Sequence, residues 1–220
     1  MCGDGGEKAV ALGLGSVLQC PVQGAAQGQA GEIEGWDLLC FEYVDGRAAD
    51  YTPGSADLPR LVCAMQRLAE LPCPNMPPVY FRPAEQRWAD AIDDPAVRVL
   101  LAGDTILHTD YNPANILVTT NGAVQIIDWA WPTKGAAWLD PAHLVPRLIA
   151  GGHSPAGAEE VARECPSLRE ADPVAIDLFA SALTSLWAEI ARDQPGEAWK
   201  QTLAASARQW WTHRSAAVGV

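Results

Sequence analysis

Long apolar runs are missing from this 220-residue chain. No stretch of about 18 consecutive apolar residues occurs, so no membrane span is expected. Positive charge is scarce. The 15 basic residues stand against 27 acidic ones, a formal net charge of −12, which argues against a nucleic-acid partner whose phosphates the chain would repel. The six cysteines, at positions 2, 20, 40, 63, 73 and 165, form no Cys-x-x-Cys pair and no Cys/His cluster. A zinc site is therefore not expected, and the thiols read as reduced and mostly buried, as in a cytoplasmic protein. Between Ala9 and Gly31 there is no charge at all. Ala9 to Leu18 has the apolarity of a signal-peptide core, but Asp4, Glu7 and a single Lys8 precede it where a basic segment belongs, so secretion is not expected.

What is present is a chain that is 49% hydrophobic and 19% charged, enough for one large or two small domains with a real core. Its most informative stretch runs from His108 to Trp129. Ile116 to Thr119 and Val124 to Ile127 are apolar and β-branched, and Asn121-Gly122 between them predicts a two-residue type I′ hairpin turn. That turn would set Thr119 opposite Val124, Ile116 opposite Ile127 and Asn115 opposite Asp128, with directly opposed Cβ atoms about 5 Å apart. An amide oxygen and a carboxylate would meet at the open end, and Asp110, five residues before Asn115, can loop back over the same point. Two oxygen ligands suit a hard cation such as Mg²⁺, which fills its other sites with water and phosphate. The remaining carboxylate can orient or deprotonate a hydroxyl.

The run His108-Thr-Asp110-Tyr-Asn-Pro-Ala-Asn115-Ile-Leu, followed by Ile-Ile-Asp128-Trp129, resembles the catalytic loop and metal-binding aspartate of the protein-kinase-like fold. It is similar to the aminoglycoside phosphotransferase (choline-kinase-like) family rather than to protein kinases, which have Arg in place of Thr109 and Phe-Gly in place of Trp129-Ala130. The resemblance implies that Asp110 is the catalytic base, that Asn115 and Asp128 hold Mg²⁺, that His108 shapes the loop and that ATP is the co-substrate. Trp36 to Gly46 reads as a buried strand ending in an Asp-Gly turn. It resembles the hinge of that fold, with Glu42, Tyr43 and Val44 as the nucleotide-binding segment and the backbone of Glu42 and Val44 at the adenine edge. The spacing from Gly135 to Asp140 matches the family's loop-bracing aspartate, and Asp140 followed by Pro141 equally reads as a helix cap.

The remainder reads as mainly helical. Ser55 or Asp57 can cap a helix from Leu58 to Glu70 with Leu58, Leu61, Met65 and Leu68 on one face. Further helices follow over Pro95 to Leu101 and after Asp140, Ser154 and Asp172, the last with Val174, Leu178, Phe179, Leu183, Leu186, Trp187 and Ile190 as its apolar face. A final helix carries Trp199, Leu203, Trp210 and Trp211. Trp129 and Trp131 either wall a pocket or pack in the core. Near the N-terminus Gly13-Leu-Gly15-Ser16 is only half of a glycine loop, since position 18 is Leu. After Lys8 the next lysine is Lys134, so no residue matches the lysine that holds nucleotide phosphates.

These features together predict an α+β, protein-kinase-like chain. Residues 1–35 read as a degenerate or truncated small lobe, 36–46 as the hinge strand, and 47–220 as the helical large lobe with the catalytic hairpin. The expected reaction is transfer of the ATP γ-phosphoryl group to a hydroxyl of a small molecule, aminoglycoside-like or an amino-alcohol, with weak turnover for want of the phosphate lysine. The alternative is a catalytically impaired remnant acting as a binding or interaction module. The acidic balance mildly favours a cationic acceptor, although acidity also serves solubility.

Overall fold

The computed structural model describes residues 10–11, 27–33, 36–41, 43–74, 81–92 and 94–218. The predicted glycine loop, Lys8 and Glu42 lie outside these residues. Three antiparallel strands come first: β1 (Val10–Ala11), β2 (Gln27–Ile33) and β3 (Trp36–Phe41), with β3 in the centre. β2 and β3 form a hairpin that closes where Ile33 faces Trp36. A short strand, β4 (Gly46–Ala48), leads into helix α1 (Asp57–Ala69). Next come β5 (Arg82–Pro83), the single-turn helices α2 (Ala84–Arg87) and α3 (Pro95–Arg98), and β6 (Thr105–Leu107). The central hairpin is β7 (Ile116–Thr119) and β8 (Val124–Ile126), followed by β9 (Thr133–Gly135). Five helices complete the chain: α4 (Leu139–Ala150), α5 (Pro155–Arg163), α6 (Pro166–Arg169), α7 (Pro173–Asp193) and α8 (Ala198–Val218).

The hairpin forms as expected, but its register differs by one residue. Thr119 N–H bonds Ala123 O at 2.9 Å and Gly122 N–H bonds Thr119 O at 2.8 Å. Only Gly122 in the turn has a positive φ, +81°. A type I′ turn needs positive φ at both central residues, and Asn121 does not supply it. The loop is instead a three-residue type I turn closed by a glycine bulge. Ile116 now faces Ile126 and Val118 faces Val124, which places four apolar side chains on one buried face. The shift has a direct physical cause, since a one-residue slip would send half of that set to the other side of the sheet.

The predicted Asp-Gly turn at Asp45-Gly46 does not form; Asp45 leads directly into a strand. Gly46 opens β4, which pairs antiparallel with β7. A Cβ at Gly46 would sit 3.1 Å from Val118 O, so glycine permits the close approach of the two backbones. Asp57 then clasps β4 to α1. Its carboxylate accepts hydrogen bonds from both terminal nitrogens of Arg47, at 2.5 and 2.9 Å, and from Asp50 N–H at 2.9 Å. Ser55 Oγ takes the Asp57 N–H at 3.2 Å, so the serine shapes the helix start and the aspartate is free for the clasp.

The helix periodicities translate into burial. Leu58, Leu61, Met65 and Leu68 of α1 are all buried. Each such side chain contributes about 1.5–3 kcal/mol when taken fully out of water. α4 is the central helix, with Leu139, Leu144, Val145 and Leu148 fully enclosed between neighbours that include α5 and α8. Ser154 Oγ and Asp172 Oδ1 cap α5 and α7 as their sequence positions predict. The buried face of α7 departs from expectation. Ala175, Ile176, Phe179, Ala180, Ala182 and Leu183 are buried, whereas Val174 is 59% exposed. α8 packs along α7, while Leu186, Trp187 and Ile190 line a cleft. By length and composition alone α7 could cross a membrane; here its apolar side is part of the core.

Candidate active site

The residues between β6 and β7 are held by a carboxylate from another element. Asp140, in the first turn of α4, accepts His108 N–H at 3.0 Å, Thr109 N–H at 2.9 Å and Tyr111 Oη–H at 2.9 Å. It does not cap its own helix, whose N-cap is Trp138; it braces the loop. Burial pushes its carboxyl above the ordinary range, opposed by the two backbone N–H donors and the tyrosine hydroxyl. Thr109 is thereby fixed at φ 66°, a left-handed conformation that costs a β-branched residue about 1–2 kcal/mol. The bonds to Asp140 and from Thr109 Oγ1 to Trp131 O at 3.2 Å hold it there.

His108 is buried and ties the two halves of the site together. Its Nδ1 accepts the Asp110 N–H at 3.3 Å, so the proton resides on Nε2, which donates to Ile127 O at 2.9 Å. The ring stands edge-on to Trp129, with centroids 4.7 Å apart. Trp129 thus packs against the loop, and the sequence alternative of a pocket wall falls to Trp131.

Asp110 is one-third exposed. Its Oδ2 accepts the Asn115 Nδ2–H at 3.0 Å, and its Oδ1 accepts Asn112 N–H at 3.2 Å and Arg147 Nη2–H at 2.9 Å. Because a carboxylate must face the donor end of an amide, Asn115 Oδ1 points away from Asp110. The register correction changes the ladder partner of Asn115. Asn115 O accepts Ile127 N–H at 2.9 Å, so Ile127, not Asp128, is the ladder partner. Asp128 follows at φ 61° and is exposed. Among the described residues its carboxylate takes no hydrogen bond and no ion pair. An uncommitted carboxylate and an amide oxygen, both hard donors with access to water, fit the requirements of Mg²⁺. Of the predicted hinge residues, Tyr43 is 59% exposed and Val44 half-buried, and neither borders the cleft described next.

Asp110 opens onto a cleft of about 1010 Å³. Its walls come from α2, α4, α7, α8 and the loop before β9. Arg87, Trp131, His143, Arg147, Trp187 and Trp199 are its chemically distinctive lining, and of these only the tryptophans entered the sequence reading. Arg147 could have been found, because it lies two helical turns after the bracing Asp140 and so shares its face. Arg87 gave no such signal. Its guanidinium reaches across the chain to Trp131 O at 2.7 Å and Thr133 Oγ1 at 2.6 Å.

No protein-family model matches the chain, and no curated protein sequence matches it. Solved structures do. Choline kinase LicA from Streptococcus pneumoniae superimposes with a TM-score of 0.52 at 14% identity, over 86% of this chain and 75% of that one. An aminoglycoside phosphotransferase from Alicyclobacillus acidocaldarius gives a TM-score of 0.51 at 16% identity, over 85% and 72%. The chain has the fold of these phosphotransferases. At such identity the likeness concerns the fold, and this phosphotransferase-like fold carries the loop from His108 to Asn115 and the hairpin after it.

Proposed function

We propose that this protein transfers the γ-phosphoryl group of ATP to a hydroxyl of a small molecule. The observation that carries the reading is the position of Asp110. It borders the cleft on one side and bonds Asn115 on the other, while Asn115 and Asp128 do not line the cleft. The acceptor then occupies the cleft, and the nucleotide phosphates lie on the side of Asn115 and Asp128.

In this reading Asp110 orients the acceptor hydroxyl and receives its proton. The hydroxyl oxygen bonds to the γ-phosphorus, the bond from that phosphorus to the β–γ bridging oxygen breaks, and ADP leaves. Asn115 Oδ1 and the Asp128 carboxylate would hold Mg²⁺, which when bound supplies charge neutralisation for the phosphates. His108 and Asp140 keep the loop rigid, so Asp110 does not have to be ordered during the reaction. The site is cytoplasmic in this reading, in keeping with the free thiols of Cys63 and Cys165.

Incubation with ATP, Mg²⁺ and a panel of hydroxyl compounds, followed by detection of the phosphorylated product, tests the proposal. Transfer is expected and should fall about 10²–10⁴-fold in Asp110→Ala, the usual contribution of a general base. Absence both of transfer and of a Mg²⁺-dependent thermal shift with ATP would favour the alternative of a non-catalytic binding module.

A further inference from the structure

The cleft beside Asp110 is basic at its inner wall although the whole chain carries a net charge of −12. Two guanidiniums stand there. Arg147 is neutralised by Asp110. Arg87 has no such partner: its two Nη1 hydrogens go to neutral oxygens, those of Trp131 and Thr133. Among the described residues no carboxylate lies within 4.0 Å of Arg87. The Nε–H and Nη2–H edge is thus left over, which is the fork that matches a carboxylate bidentately. The guanidinium is also poised over aromatic faces, 5.3 Å from the centroid of Trp88 and 5.6 Å from that of Trp131. Burial lowers its pKa only to about 10, so it stays charged at neutral pH. A largely desolvated cation with no anion in direct contact gains from a ligand that supplies one.

The charges of Asp110 and Asp140 act on Arg87 from beyond ion-pair distance, and both carboxylates are already taken, Asp110 by Arg147 and Asn115 and Asp140 by the loop donors. Asp90 and Glu189 are exposed, and Glu189 faces Arg192 at 3.7 Å. Arg82 and Lys200 add positive charge to the lining. The indoles of Trp131 and Trp199 are 64% and 46% exposed, flat apolar surfaces on which a ring can lie.

Building on the phosphotransferase reading, we propose that the acceptor is an anionic hydroxyl compound. Its carboxylate takes the free edge of Arg87, its apolar or aromatic body lies against Trp131 and Trp199, and its hydroxyl is at Asp110. The local charge thus points away from the cationic acceptor that the net charge alone suggests.

Three probes that differ in one group decide the matter: 4-(hydroxymethyl)benzoate, benzyl alcohol and 4-(hydroxymethyl)benzylamine. Their binding to the nucleotide-free protein is followed by tryptophan fluorescence. The benzoate is expected to bind about tenfold more tightly than the alcohol, the increment of one good charge pair, and the amine most weakly. Arg87→Gln should erase that preference and leave the alcohol's affinity within about twofold. Because this variant also loses the bonds to Trp131 and Thr133, Arg87→Lys serves as its control and should keep part of the preference. Equal binding of the three probes, or preference for the amine, by the wild-type protein overturns the proposal. So does an Arg87→Gln variant that keeps the benzoate preference but loses MgATP, since the guanidinium would then belong to the nucleotide. MgATP binding measured in parallel separates the two readings. Benzoate selectivity without MgATP binding keeps the anion site and sinks the phosphotransferase; MgATP binding without selectivity does the reverse.

Discussion

Arg147 Nη2 lies 2.9 Å from Asp110 Oδ1, which joins a core helix to the residue assigned the proton. The guanidinium is itself fixed over two indoles, 5.5 Å from the centroid of Trp187 and 5.7 Å from that of Trp199. α4, α7 and α8 therefore all take part in setting the direction of one carboxylate. Burial depresses the pKa of Arg147, against the opposing charge of Asp110, yet an arginine remains a cation over the working pH range.

Replacement of Arg147 by Gln should consequently act on turnover more than on nucleotide binding. Asn115 and Asn112 still hold Asp110, so the carboxylate stays near its place but loses its sharpest orienting contact. We expect kcat to fall on the order of tenfold, the scale of a small misplacement in a reacting geometry. The KM for MgATP should stay within about twofold. Steady-state kinetics with an acceptor identified by the panel of hydroxyl compounds measure both. An unchanged kcat would show that the ion pair serves the fold and not the reaction.

Asp140 is the second lever. It satisfies three donors from the loop, and asparagine at this position would present one oxygen and an NH₂ group to them. At least one backbone N–H would lose its acceptor inside the protein, which costs about 1–3 kcal/mol. Asp140→Asn should lower Tm by roughly 2–8 °C in a chain of this size and reduce phosphoryl transfer at the same time. Tyr111→Phe removes only the hydroxyl and should cost about 1 kcal/mol. If Asp140→Asn melts like the wild type, His108 and Thr109 do not depend on it for their positions.

The chemistry of the site was legible because it lies in one continuous segment. Asp110, Asn115 and Asp128 were placed together from local spacing and turn residues; Asp110 and Asn115 do meet, at 3.0 Å, and Asp128 follows Ile127, whose N–H bonds Asn115 O. The route of convergence was misread, since Asn-Gly admits two turn types, and only packing of the four apolar hairpin residues on one face selects between them. The part that was not legible is the cleft. Arg87, Arg147, Trp187 and Trp199 are far apart in sequence and belong to four helices. Their meeting is set by how separate helices pack, α7 on α8 and α4 on α8, and the buried side of α7 is half alanine, which carries too little pattern to read a contact face from. The same limit explains why the apolar face of α7 was drawn through residues that wall the cleft.

His143 offers a prediction in pH. Its ring packs 5.1 Å from Phe179 and 5.3 Å from Trp88 between centroids, and its Nε2 is buried without a hydrogen-bond partner among the described residues. Burial, and then the charges of Arg87 and Arg147, lower its pKa from 6.5 to about 3. The unfolded chain therefore takes up a proton near pH 6.5 that the folded protein refuses until about pH 3. Between those values the unfolded state binds more protons, so stability falls as pH falls, by up to about 1.4 kcal/mol per pH unit for one group. Other groups add to the acid limb only lower down. Hydrogen bonding to Arg47 holds Asp57 below its ordinary range. Glu159 is also held low: burial would raise it, but the Trp210 N–H and the Arg214 charge outweigh that. Both carboxylates lose their stabilising effect as they protonate, in any variant that keeps them. His143→Phe fills the same aromatic slot without a titrating nitrogen. Thermal melts from pH 7 to pH 4 should show a shallower loss of Tm in His143→Phe than in the wild type, with the two curves closest at pH 7. Parallel curves over that range would mean that the folded protein accepts the proton on His143 as readily as the unfolded chain does.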